Sequence, residues 1–150
     1  MKVQKNLIRK ITHGKNFKVI EPVNLYECEF GNNVFVGPFV EITKGVKIGD
    51  NTRISSHSFV CELVTIGKNC FIGHGVMFTN DKFSDGNINF NRSEWIKTVI
   101  EDDVLIGSNA TILPVNICSN VVIGSGAVVT KDIKKKGIYV GNPAKFLKDI

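Results

Sequence analysis

Two histidines, two carboxyl groups and one amide stand at spacings that bear on chemistry: His57 and His74, Glu62 and Asp81, and Asn80. An imidazole that titrates near neutral pH, a carboxylate and an amide are the groups needed to bind an amine, keep it neutral and receive its proton. Each also has a plainer reading. Asn80 and Asp81 fit a turn, because both residue types bond backbone two residues on, and His57 and His74 fit solvated surface positions. His74 lies between Gly73 and Gly75, which leaves it accessible. Other chemistries lack their residues. No Gly-x-Ser-x-Gly is present, Cys28, Cys61, Cys70 and Cys118 form no Cys-x-x-Cys pair, and none has a base partner by spacing. They read as reduced packing residues. A three-histidine zinc site is not expected either, because His13 falls ahead of the expected coils and leaves only His57 and His74.

The element that positions these groups is a six-residue beat. Phe30, Val36, Ile42, Ile48, Ile54, Val60, Ile66, Ile72 and Phe78 fall in one phase, and four residues after each start come Val34, Val40, Val46, Thr52, Ser58, Val64, Cys70 and Val76. With 43% hydrophobic residues, nine apolar starts in a row have a chance probability of about one in two thousand. A six-residue period smears around a helix, whereas it suits a two-residue strand plus a corner. Three units make a triangular coil of about 18 residues, and coils stack about 4.8 Å apart as parallel strands. Residues 18 apart then become vertical neighbours. Glu62 stacks under Asn80 with Asp81 beside it, and His57 stacks under Gly75 with His74 beside it.

The beat stops after Phe78 and returns at Ile100, Ile106 and Ile112, so residues 81–98 predict a loop thrown out from one corner. Its Phe83, Phe90 and Trp95 predict docking against a ligand or a neighbouring subunit. The expectation is one domain over residues 1–150, all-β: a parallel β-helix of about five coils over residues 19–133, the extended loop, and a C-terminal segment, residues 134–150, with a short amphipathic helix after Pro143. Residues 1–12, with Val3, Leu7, Ile8 and Ile11 at helical spacing, predict a short packing helix or a frayed start.

Residues 1–10 are too charged for a signal peptide and no apolar stretch approaches a membrane span, so a cytoplasmic protein away from membranes is expected. The net charge is +5, concentrated in Lys131, Lys134, Lys135, Lys136, Lys145 and Lys148. That cluster suits the phosphates of a small molecule. It lacks the interleaved aromatics of a nucleic-acid surface, so no nucleic-acid partner is expected.

The coils, Ile-Gly-Ser-Asn-Ala-Thr-Ile-Leu-Pro at 106–114, Ile-Gly-Ser-Gly-Ala-Val-Val-Thr-Lys-Asp at 123–132 and Val-Gly-Asn-Pro-Ala-Lys at 140–145 resemble the hexapeptide-repeat acyltransferases of the left-handed β-helix superfamily. Asn-Leu-Tyr-Glu-Cys at 24–28, Ser-Ser-His-Ser-Phe-Val-Cys-Glu at 55–62 and Gly-His-Gly-Val-Met-Phe-Thr-Asn-Asp at 73–81 are similar to N-acetyltransferases acting on nucleotide-linked 3-amino sugars. The resemblance implies a left-handed helix and a homotrimer with sites between subunits. It also implies acetyl-CoA as co-substrate, with Gly107, Ala110, Ser125 and Ala127 along the pantetheine arm and Lys131 and Lys145 at the phosphates. Glu62, Asn80, Arg92 and Trp95 then bind the acceptor, expected to be a dTDP-linked amino-deoxyhexose of lipopolysaccharide or another surface glycan. Asn80, Asp81, His74 and His57 are the catalytic candidates. Many superfamily members place a histidine base near the extended loop, whereas residues 78–83 hold none, as in the amino-sugar branch where an asparagine of a Phe-Thr-Asn segment holds the amine. The alternatives are another acceptor, such as a 4-amino sugar, a UDP-linked 3-amino sugar or an amino acid, a nucleotide-binding regulatory trimer, or a non-catalytic trimeric scaffold.

Overall fold

The computed structural model describes residues 7–83 and 85–150. Its strands, most of them two residues long, form three sheets: seven strands from Ile8–Arg9 to Val128–Val129, six from Thr12–His13 to Asn116–Ile117, and eight from Lys18–Val19 to Lys145–Lys148. All neighbours pair in parallel except the last two, Gly137–Val140 and Lys145–Lys148. The chain visits the first, second and third sheets in turn, giving a parallel solenoid of seven coils rather than five.

The beat is the core. In the first sheet Ile42, Val60 and Phe78 stack inward, in the second Ile48, Ile66 and Ile100, in the third Ile54, Ile72 and Ile106, all buried. The intervening slots point inward as well, and two of their polar members bond to backbone: Thr52 Oγ1 donates to the Gly67 carbonyl at 2.9 Å and Ser58 Oγ to Gly73 at 2.8 Å. Glycine follows many starts because coils touch there. A Cβ on Gly49 would lie 2.7 Å from the Gly67 backbone, closer than any side chain tolerates.

Two expectations are corrected. The solenoid begins at Ile8, and His13 belongs to its first coil, because Ile8–Arg9 and Thr12–His13 complete the open edge offered by Leu25–Tyr26 and Glu29–Phe30. The reading of Val3 lies outside the described residues. At the other end Lys145–Lys148 is a strand, not a helix. A helix of so few residues forms one or two turns at high nucleation cost, while the edge of the third sheet offers ready partners. Tyr139 meets Phe146 edge-on at 5.5 Å across this hairpin.

The corner from second to third sheet carries an amide ladder. Asn16, Asn33, Asn51 and Asn69 each pass a side-chain N–H to the residue above at 2.9–3.1 Å, and the run ends on Asp103. All five have φ of 55–59°, a left-handed conformation that asparagine and aspartate tolerate best among residues with a Cβ. Asn51→Val removes two ladder bonds and forces a β-branched residue into that region. It should cost about 2 kcal/mol and lower the melting temperature by roughly 4–8 °C, with Asn51→Gly costing less.

Candidate functional site

Where the first sheet turns toward the second, Tyr26 at the end of its strand and Thr43, Cys61 and Thr79 one residue past theirs form a column up successive coils. Directly after Thr79 the loop departs, and the register then steps by 34 residues instead of 18. Extra chain can leave a continuous parallel ladder only at a corner, so the loop folds back over this column. Between them lies a cavity of about 390 Å³. That is a small-molecule size. Tyr26, Phe59, Phe83 and Trp95 wall it, and Glu62, Asn80, Asp81 and Arg92 supply its polar groups.

The loop is held by its own polar residues. Asp81 accepts from the Phe83 N–H through Oδ1 and from the Asn89 N–H through Oδ2, both at 2.9 Å. Asn91 caps the one-turn 3₁₀ helix Arg92–Glu94 through the Ser93 N–H, and Glu94 accepts from Asn89 and Asn91. Trp95 Nε1 donates to the Asn89 carbonyl at 2.9 Å. These bonds aim Arg92 at Glu62, 3.5 Å away, with its guanidinium 5.6 Å from the Trp95 ring. Glu62 is the more buried partner, 18% exposed against 66% for Arg92. Asn80 Nδ2 points to the Glu62 carbonyl at 3.5 Å, a long contact that leaves Oδ1 available to a ligand.

The structure therefore brings Glu62, Asn80, Asp81, Arg92 and Trp95 together. Asp81 differs from its expected role. Both carboxylate oxygens are occupied by backbone donors, so it anchors the loop. His57 and His74 are elsewhere, at the corner from third to first sheet and so at the opposite end of the first-sheet strands, about 13 Å away by strand rise. There His57 stacks on Phe39 at 4.8 Å, and His74 Nδ1 shares a 2.7 Å hydrogen bond with Ser56 Oγ. Gly107 and Ser125 continue this corner on later coils, packed so closely that a Cβ on Gly107 would lie 2.5 Å from the Ser125 nitrogen. Ala110 and Ala127, expected beside them, are wholly buried with their methyls in the core, so they present no surface to a ligand. Lys131 and Lys145 are exposed, Lys145 on the C-terminal hairpin. Among the described residues no group of three or more His, Cys, Asp or Glu is placed to hold a metal ion.

Sequence reasoning passed over Thr43, Phe59 and Thr79 and read Cys61 only as packing. A column read from the observed register finds them, but Leu25 to Phe30 is five residues, so Tyr26 and Thr43 sit 17 apart and an 18-residue rule misses the pair. Burial pushes the thiols of Cys28 and Cys61 up to about 12.

Residues 27–62 match the family described as bacterial transferase hexapeptide (six repeats), and residues 63–77 and 97–131 match the hexapeptide repeat of succinyl-transferase, together more than half of the chain. The second match is interrupted across the loop. The bifunctional protein GlmU of Carboxydothermus hydrogenoformans is 32% identical over 146 residues, covering 91% of this chain and 32% of that protein. The chain thus spans about a third of the length of that curated relative. The fold superposes on a variant of AntD, an N-acyltransferase from Bacillus cereus solved with dTDP and coenzyme A, at a TM-score of 0.74 and 19% identity over 93% of this chain and 83% of that one. It also superposes on the hexapeptide-repeat acetyltransferase VCA0836 of Vibrio cholerae at 0.64 and 27% identity, over 91% and 72%. A second structure of VCA0836 holds acetyl coenzyme A.

Asp81→Ala should open residues 82–95 to limited proteolysis while shifting the melting temperature of the coils by less than about 2 °C, since no core contact is touched. At pH 8 a thiol of pKa near 12 is ionised in about one molecule in ten thousand. A polar maleimide should accordingly label the partly exposed Cys118 in the native protein and reach Cys28 and Cys61 only after unfolding or as the pH rises toward 12, which mass spectrometry of the labelled peptides checks.

Proposed function

Because the chain belongs to the hexapeptide-repeat transferases, we propose that it is an acetyl-CoA-dependent N-acetyltransferase whose acceptor is a nucleotide-linked amino sugar. The observation that carries the reading is the cavity under the loop, where Asn80 Oδ1, the Glu62–Arg92 pair and aromatic walls converge in a space of about 390 Å³. A sugar ring stacks on aromatic faces, its amine needs an acceptor, and a phosphate needs a cation. AntD, which shares the fold, has been solved with dTDP-4-amino-4,6-dideoxyglucose and coenzyme A. The finer reading, the 3-amino group of a dTDP-linked deoxyhexose, rests on the resemblance of residues 55–62 and 73–81 to that branch. It carries with it a homotrimer, a cytoplasmic location and a place in surface-glycan synthesis.

Asn80 Oδ1 accepts from the neutral amine and aims its lone pair at the thioester carbonyl carbon. The C–N bond forms, the oxyanion collapses, the C–S bond breaks, and the amine proton ends on the departing thiolate. Glu62 orients Asn80 through its carbonyl and Arg92 through its carboxylate, and Asp81 holds the loop over both. The corner bearing Gly107, Ser125 and Gly126 fits a narrow pantetheine chain. On these last coils it has no bulky side chain, and a Cβ on Gly126 would meet nothing within 4 Å. Lys131 and Lys145 are the cations for the coenzyme's phosphates.

A second reading has its own observation, the 2.7 Å contact between Ser56 and His74: with Nδ1–H donating to Ser56 Oγ, the other ring nitrogen is unprotonated and serves as the base. Coenzyme A release with a panel of dTDP- and UDP-linked 3- and 4-amino sugars tests the activity and the acceptor together. Asn80→Ala should lower kcat/KM for the sugar more than about tenfold, while His74→Ala stays within about threefold. The reverse pattern establishes the histidine mechanism.

A further inference from the structure

Thr43 and Thr79 belong to the column beneath the cavity and line its wall. Thr43 is 6% exposed, and the Oγ1 atoms of both are buried without a hydrogen-bond partner. The solenoid has a way to satisfy a buried hydroxyl, as Thr52 and Ser58 show by donating to carbonyls of the coil above. Neither cavity threonine uses it. They cannot satisfy each other either, because Cys61 occupies the coil between them, about 5 Å from each by coil spacing. Its un-ionised thiol is a weak partner. An unpaired buried hydroxyl is a standing cost to the folded chain unless something else completes it. In threonine a change of one χ1 rotamer exchanges Oγ1 and Cγ2, so either hydroxyl can turn to the cavity side when a polar group arrives there.

We infer that Thr43 and Thr79 are specificity-determining residues of the acceptor pocket, hydrogen-bonding two polar groups of the nucleotide-linked amino sugar on either side of a ring edge that carries none. Cys61 faces that edge, which suits a deoxy position. The inference rests on the acceptor reading above.

Thr98 supplies the control, since its Oγ1 is also buried without a partner yet it does not line the cavity. Steady-state kinetics of the full chain, with saturating acetyl-CoA and the amino sugar it turns over best, are compared for Thr43→Val, Thr79→Val, Thr98→Val and Thr43→Ser. The two cavity valines should raise the acceptor KM at least about fivefold, leave the acetyl-CoA KM within about twofold and not lower the melting temperature. Thr98→Val should match their thermal behaviour with an unchanged acceptor KM, and Thr43→Ser, which keeps a hydroxyl, should stay within about twofold of the natural protein. An acceptor KM unchanged in both cavity variants overturns the inference. So does an equal rise in Thr98→Val, or a cavity valine that melts early, because then the hydroxyl had a structural partner. If the natural protein turns over no nucleotide-linked amino sugar, the acceptor reading falls first and takes this inference with it.

Discussion

Everything in this chain depends on parallel coils stacking at a fixed spacing of about 4.8 Å, with most strands only two residues long. Such strands make few bonds apiece, so the coil is held by its corners and its interior stack. Each coil outside the loop therefore needs nearly the same chain length, the same inward slots and corner residues that accept positive φ. Asn51, Asn69 and Asp103 meet the last demand at one corner, and His57, Gly75 and Asn109 at another. Surplus chain has nowhere to go except outward from a corner, and the single large surplus leaves directly after Thr79.

The same constraint separates chemistry by the width of one sheet. Asn80, Glu62 and Arg92 stand at one end of the first-sheet strands, His57, His74, Gly107 and Ser125 at the other. Acyl transfer requires reacting atoms about 3–3.5 Å apart. A rigid strand cannot shorten, so within one chain the two groups do not meet at a single reacting centre. An extended co-substrate lying along one corner and an acceptor held at another can meet only where a neighbouring chain brings the two corners together, which is the arrangement the proposed homotrimer requires.

The inward slots were legible in the sequence because period alone decides which side chains face a core. The position of the loop was legible for the same reason, as the interval where the period fails. What residue identity could not show was where each polar group spends its bonding capacity. Asp81 has the composition of a catalytic carboxylate, yet two backbone N–H groups consume it. Ala110 and Ala127 lie in motifs read as coenzyme-facing, yet they fill the inward slot of their coils. The stacking of Tyr26 under Thr43 was hidden by a coil one residue short, and Lys145–Lys148 by an amphipathic pattern that suits either a helix or an edge strand when so few residues carry it.

In the proposed reaction Asn80 also constrains the flow of protons. An amide neither gives nor takes a proton at neutral pH, so an amine held by Asn80 must arrive neutral or lose its proton elsewhere. Glu62 is engaged by Arg92 at 3.5 Å, and Asp81 by two backbone N–H groups of the loop. With these two occupied, the proposed reaction delivers the proton to the sulfur that leaves the carbonyl carbon. The proposed reaction thus spends the pocket's polar groups on orientation and leaves proton transfer to the thiolate that it generates.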